Sequence, residues 1–135
     1  MLLVVDANII FSALVGGNLT ELFLSHKLEL VAPELLFVEI YKHKEELKQK
    51  SHLSEEYFEL LLSLLEKRVK TIPLEEYINF FSEAEKMLGE HFKDAPYIAL
   101  ALRLQCPFWS YEKRFRRFKE IESLTTEEVA KVIRQ

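Results

Sequence analysis

A chain of 135 residues, 49% hydrophobic and 30% charged, can bury a real core and solvate its surface, which argues against disorder. The formal net charge of −4 argues against a broadly basic nucleic-acid coat but leaves room for a local basic patch. Cys106 is the lone cysteine and has no disulfide partner, no apolar run reaches membrane-spanning length, and Leu2–Val5 lacks the basic flank and cleavage site of a signal peptide. The expectation is one domain over residues 1–135, cytoplasmic and without a membrane partner.

In chain order, Leu2–Val5 is too short for a buried helix and reads as a central strand. A helical stretch over Ile9–Val15 stops at Gly16-Gly17, where positive φ is easily adopted. Asn18 and Glu21 have capping-box spacing and predict a helix to about Lys27, followed by a strand over Leu28–Ala32. Pro33 suits the first turn of a helix running to about Lys50, with Leu36, Ile40 and Leu47 as its apolar stripe. Ser54 opens a helix to about Lys70. Its leucines exceed the needs of one face, so Tyr57–Leu65 is a candidate homodimer surface, with burial of both faces inside one domain left open.

Val69–Ile72 reads as a strand stopped by Pro73, and Glu75–Leu88 as a helix ending near Gly89. Asp94 opens Ala95–Leu104, apolar nearly all round and therefore packed against a sheet. Cys106–Ser110 is a fourth strand, Arg114–Phe118 a short basic turn or helix, and Glu120–Ser123 a candidate fifth strand. Thr125 and Glu128 cap the last helix. Strands alternating with helices predict an α/β fold, a three-layer α/β/α sandwich around a mostly parallel sheet of four to five strands.

Four acids stand where such a fold places a ligand site. Asp6 follows a wholly apolar strand, so its carboxylate meets the carboxyl edge of the sheet, with Asn8 beside it. An Asx-turn would also explain Asp6. Glu39 lies at the border of a helix's apolar stripe, with His43 one turn on; a solvated helical Glu is the alternative. Asp94, two residues before Pro96, is also a good N-cap, and Glu112 also fits a solvated charge run. Two carboxylates about 4 Å apart repel by roughly 4 kcal/mol at an effective dielectric near 20. Four converging acids therefore require raised pKa values or a cation, and Mg²⁺ or Mn²⁺ matches carboxylate donors and phosphodiester chemistry.

Val4-Val5-Asp6-Ala7-Asn8-Ile9-Ile10, Glu39 after the second strand, Lys93-Asp94-Ala95 and Trp109-Ser110-Tyr111-Glu112 together resemble a PIN domain, in order and over nearly the whole chain. The resemblance implies a metal-dependent endoribonuclease acting on single-stranded or structured RNA, often the VapC toxin of a toxin–antitoxin pair with an antitoxin protein as partner. Asp6, Glu39 and Asp94 match the family's first three metal-site acids, Asn8 its polar position after the first acid, and Ser110 its usual Thr or Ser. The fourth acid is usually Asp; Glu112 is one methylene longer. The implied chemistry is in-line hydrolysis by a water at Mg²⁺ or Mn²⁺, leaving a 5′-phosphate. Arg114, Arg116, Arg117 and Lys119 could grip the RNA backbone, or form a solvated basic turn.

Other chemistries lack their residues. His26, His52 and His91 show no paired zinc spacing, three glycines make no phosphate-binding loop, and no Gly-x-Ser-x-Gly occurs. A haloacid-dehalogenase-like phosphatase would need an acid where Asn8 stands; a receiver domain would need an acidic doublet near the first strand and an Asp after Val69–Ile72. The rival that remains is a PIN-like RNA-binding or protein-assembly module of weak or no activity.

Overall fold

A computed structural model describes residues 1–16 and 18–135. Five strands, β1 (Leu2–Val5), β2 (Glu29–Pro33), β3 (Val69–Ile72), β4 (Phe108–Trp109) and β5 (Ser123–Leu124), form one all-parallel sheet in the order β3-β2-β1-β4-β5. β1 is central because Leu3, Val4 and Val5 can be buried completely; a strand apolar on both faces needs cover on both. Chain order runs outward from β1 through β2 to β3, then resumes on the other side with β4 and β5. The reversal lies between β1 and β4, the position at which open α/β sheets bind ligands.

The helices form the outer layers. Helices α1 (Ala7–Leu14), α2 (Thr20–Leu24), α4 (Lys44–Ser51), α5 (Glu55–Arg68) and α8 (Thr126–Ile133) pack among themselves on one side, with α3 (Leu35–Lys42) leading into α4. On the other side, α6 (Phe81–Leu88) packs on α7 (Ala95–Leu104), which lies over β1, β2 and β4. The buried face of α7 comprises Ala95, Tyr97, Ile98, Ala99, Leu100 and Ala101; the alanines let the helix approach the sheet closely.

Several boundaries differ from the sequence reading. The box expected at Asn18 does not form: Leu19 occupies the cap position in helical conformation, and α2 ends at Leu24. Gly16 does take a positive φ of 110°, whereas Gly17 lies outside the described residues. Pro33 ends β2 instead of opening a helix, which suits a residue whose ring removes a ladder donor. The long helix to Lys50 is broken at His43, whose φ of −106° and ψ of 16° leave the helical region. The segment before α6 forms two 3-10 turns, Leu74–Glu76 and Ile78–Phe80, and the fifth strand begins at Ser123, three residues later than expected.

Two caps form as read. The Ser54 hydroxyl accepts from the Tyr57 N–H at 3.2 Å and starts α5. At α8, Thr125 Oγ1 accepts from the Glu128 N–H at 3.2 Å, and Glu128 Oε1 accepts from the Thr125 N–H at 3.0 Å. Removing the hydroxyl leaves an orphan donor in the first turn, so Thr125→Ala is expected to lower stability by about 1 kcal/mol in urea unfolding. An unchanged midpoint would show that the Glu128 half suffices.

Candidate metal centre

Strand register brings the first two site residues together. Val5 is paired with Trp109, so the next residues, Asp6 and Ser110, emerge side by side at the carboxyl edge. The Asp6 N–H donates to the Trp109 carbonyl at 3.0 Å, and the Ser110 N–H to the Leu124 carbonyl at 3.1 Å, which fixes both backbones. Ser110 Oγ donates to Asp6 Oδ2 at 2.7 Å and accepts from the Glu112 N–H at 3.1 Å. One hydroxyl thus orients the first acid and anchors the loop carrying the fourth. Trp109 anchors the strand end, tilted against Phe23 with ring centroids 5.5 Å apart and donating from Nε1 to Thr126 Oγ1 at 3.1 Å.

Asp6 is only 3% exposed. Burial pushes its pKa up to about 6; the Ser110 hydrogen bond opposes this, the negative charges of Asp94 and Glu112 add to it, and the Asn8 backbone amide favours the ionised form. No full cap hydrogen bond closes from its carboxylate to α1, although the Asn8 amide, two residues on, lies on the Asx-turn side of it. Asn8 itself is exposed on the first turn of α1.

Asp94 makes no side-chain cap hydrogen bond to α7 either. Its Oδ2 accepts instead from Arg114 Nη2 at 2.5 Å, while Arg114 Nε donates to Glu112 Oε2. The guanidinium lies 4.3 Å over the buried Phe115 ring. Side-chain exposures of 26%, 28% and 33% for Arg114, Asp94 and Glu112 put the trio at the mouth of the site, shielded on one side. Burial alone would lower the Arg114 pKa; the hydrogen bonds to Glu112 and Asp94 outweigh it and leave it raised.

Glu39 stands apart. Its half-exposed carboxylate lies 3.8 Å from His43 Nε2 along α3. What connects it to the other acids is Tyr97, whose pKa rises first from burial and then from the charges of Asp6, Asp94 and Glu39. Among the described residues the buried Tyr97 hydroxyl has no hydrogen-bond partner, an unusual state for a donor that costs free energy to desolvate. Sequence reading passed over Tyr97 because it counted as apolar; a lone hydroxyl three residues after Asp94, on a helix of alanine and aliphatic residues, was the available signal.

The basic residues are divided. Arg116 is held by Glu128 at 2.5 Å, Arg117 lies 5.1 Å over the Phe118 ring, and Lys119 is exposed. Phe115 is fully buried and Phe118 packs against the core, so neither offers a platform for bases.

The donor set fits a hard divalent cation in chemistry and charge: carboxylate oxygens, an acid whose proton affinity is raised first by burial and then by the charges of Asp94 and Glu112, and one guanidinium paired with both of those acids. The side-chain placement is that of the guanidinium-held state. Among the described residues, no three His, Cys, Asp or Glu side chains are gathered to hold a metal ion.

The raised Asp6 pKa has a measurable sign. Between about pH 4 and 6 the unfolded chain has released this proton while the folded chain keeps it, so stability falls with rising pH across that window. Above it the loss is complete, at about 3 kcal/mol for a shift of this size. In urea unfolding with chelator present, Asp6→Asn is expected to be more stable than wild type at pH 8 and to converge with it near pH 4. Parallel curves across the range would show that Asp6 ionises without penalty.

No curated protein matches the chain. A family model described as PIN domain matches residues 4–132, a span that runs from β1 to the end of α8. PIN domains are a nuclease fold that generally binds divalent metal, and this chain belongs to the PIN domain family.

Proposed function

We propose that this chain is an endoribonuclease dependent on Mg²⁺ or Mn²⁺, hydrolysing phosphodiesters of single-stranded RNA, and the cytoplasmic toxin of a VapBC-type pair. The observation that carries the reading is the acidic edge at the sheet's switch point, where buried Asp6 faces the charges of Asp94 and Glu112 and those two share a guanidinium. Residues 1–135 act as one domain in this reading, consistent with one sheet and one continuous core.

Asp6, Glu39, Asp94 and Glu112 would hold the ion. When bound, it supplies positive charge to the phosphodiester and lowers the pKa of an attacking water. Ser110 keeps the Asp6 carboxylate aimed and the Glu112 backbone in place, and Asn8 offers a polar side chain at the same edge. Arg117 and Lys119, both exposed, are suited to backbone phosphates. Arg116 would reach RNA only by leaving Glu128. The extra methylene of Glu112 gives its carboxylate reach from a loop whose backbone is tied to Ser110.

A PIN-like binding or assembly module is the second reading, favoured by the observation that Asp94 and Glu112 already have a protein partner in Arg114. Cleavage of labelled single-stranded RNA with Mn²⁺ or Mg²⁺ separates the two. Loss of one charged group at such a site costs roughly 10²-fold or more, so Asp94→Asn is expected to lose cleavage to that extent, and chelation to abolish it in wild type. Equal cleavage by both proteins, or none by wild type with RNA binding retained, would favour the module.

The homodimer proposed with this function would use α5, where Tyr57 is 61% and Leu60 70% exposed on one face while Phe58, Leu62 and Leu65 are buried on the other. In sedimentation equilibrium, Leu60→Glu is expected to shift a dimer to monomer. An unchanged mass for the variant would remove α5 as the interface.

A further inference from the structure

Arg114 is the one group in contact with both Asp94 and Glu112 among the described ion pairs, and its own chemistry limits what it can be doing there. A guanidinium stays charged at any physiological pH, so deprotonation cannot release it. Only a competing cation can take its place. Arg114 also brings a single positive charge to a cluster in which Asp6, Asp94 and Glu112 influence one another. One positive charge against two carboxylates leaves a charge deficit at Asp94 and Glu112.

The geometry makes departure simple. Arg114 sits in the 3-10 turn Lys113–Arg117, between β4 and β5, two residues after Glu112. The turn is anchored beneath it by Phe115, which is fully buried and packs edge-on against Phe108 at 5.2 Å. The Glu112 backbone is held separately by Ser110 Oγ. The Arg114 side chain can thus rotate away over the Phe115 ring without moving the backbone that presents Glu112. Asp94 likewise depends on Arg114 for nothing structural, since α7 begins without its carboxylate as a cap.

We propose that Arg114 is a built-in placeholder for the divalent cation, bridging Asp94 and Glu112 in the metal-free protein and displaced when the cation binds. The displaced guanidinium is then free beside the acidic edge, where a phosphodiester oxygen is the anion of matching geometry. Arg114 is accordingly a specificity and positioning residue: cation occupancy determines whether it faces carboxylate or phosphate. This inference rests on the metal-dependent nuclease reading and adds to it a defined order, cation first and nucleic acid second.

Isothermal titration of Mn²⁺ into the full chain tests the inference without any turnover. Arg114→Ala and Arg114→Gln are expected to bind Mn²⁺ about tenfold or more tightly than wild type, since no internal cation has to be displaced. Arg114→Lys, which cannot fork between two carboxylates, should fall between. On a fluorescent single-stranded RNA with nuclease-resistant phosphorothioate linkages, wild-type binding should strengthen when Mn²⁺ is added, and that gain should vanish in Arg114→Gln. Equal Mn²⁺ affinity in wild type, Arg114→Ala and Arg114→Gln would overturn the placeholder while leaving the metal reading intact. Weaker binding in the variants would make Arg114 a support for the cation site and would also overturn it. Absence of Mn²⁺ binding in all of them would remove the metal reading and the inference together. Thermal unfolding of each variant distinguishes a misfolded protein from a folded one that fails to respond.

Discussion

The parallel pairing of β1 with β4 is the constraint on which the site depends. It crosses from the first strand to the fourth, more than a hundred residues apart, and fixes Asp6 next to Ser110 by register alone. A one-residue slip would turn Asp6 to the opposite face of the sheet and separate it from the hydroxyl that aims it. Register is secured by burial. Leu3, Val4 and Val5 on β1 and Phe108 and Trp109 on β4 are all completely buried, so any alternative pairing would expose large apolar side chains or bury polar ones. The precision of the site is thus inherited from the core.

That core carries a cost at its upper edge. A carboxylate 3% exposed, near two others, is held against the preference of an isolated chain for hydrated charge. A hydrophobic residue at position 6 would remove the repulsion, and the orphaned Tyr97 hydroxyl would be cheaper as a phenyl ring. Such features have no account in packing. In the proposed reading they would belong to a site arranged for a cation, with Arg114 supplying part of that charge in its absence.

The sequence disclosed what depends on local pattern. The strands' places along the chain followed from short apolar runs, their parallel pairing from alternation with helices, and the caps at Ser54 and Thr125 from side chains whose partners lie three residues away. It failed where tertiary contacts outrank local preference. Asn18 had the spacing of a cap, yet the helix starts from Leu19, and Asp94 had the position of a cap, yet its carboxylate turns to Arg114, 20 residues on. Asp6, Asp94 and Glu112 could be read as acids at the right edge of the sheet, but the bridging guanidinium could not. From sequence, Arg114, Arg116, Arg117 and Lys119 are one basic run; in the fold, two of the arginines face acids and the other two residues keep exposed positions. Glu39 was read at the border of its helix's apolar stripe, and in the fold its half-exposed carboxylate lies 3.8 Å from His43 Nε2, one turn on.

The division of the basic run bears on how an acidic protein could hold an acidic polymer. With a net charge of −4 and two arginines committed to internal acids, long-range attraction for RNA is weak in the metal-free state. Each bound cation would change this twice, by neutralising carboxylates and by freeing a guanidinium. Thermodynamic linkage then makes the effect mutual: if the cation strengthens phosphate binding by some factor, phosphate strengthens cation binding by the same factor. A single arginine between two carboxylates thereby couples the two ligands. The acidic edge would stay closed to either one at low concentration and fill with both when they are present together.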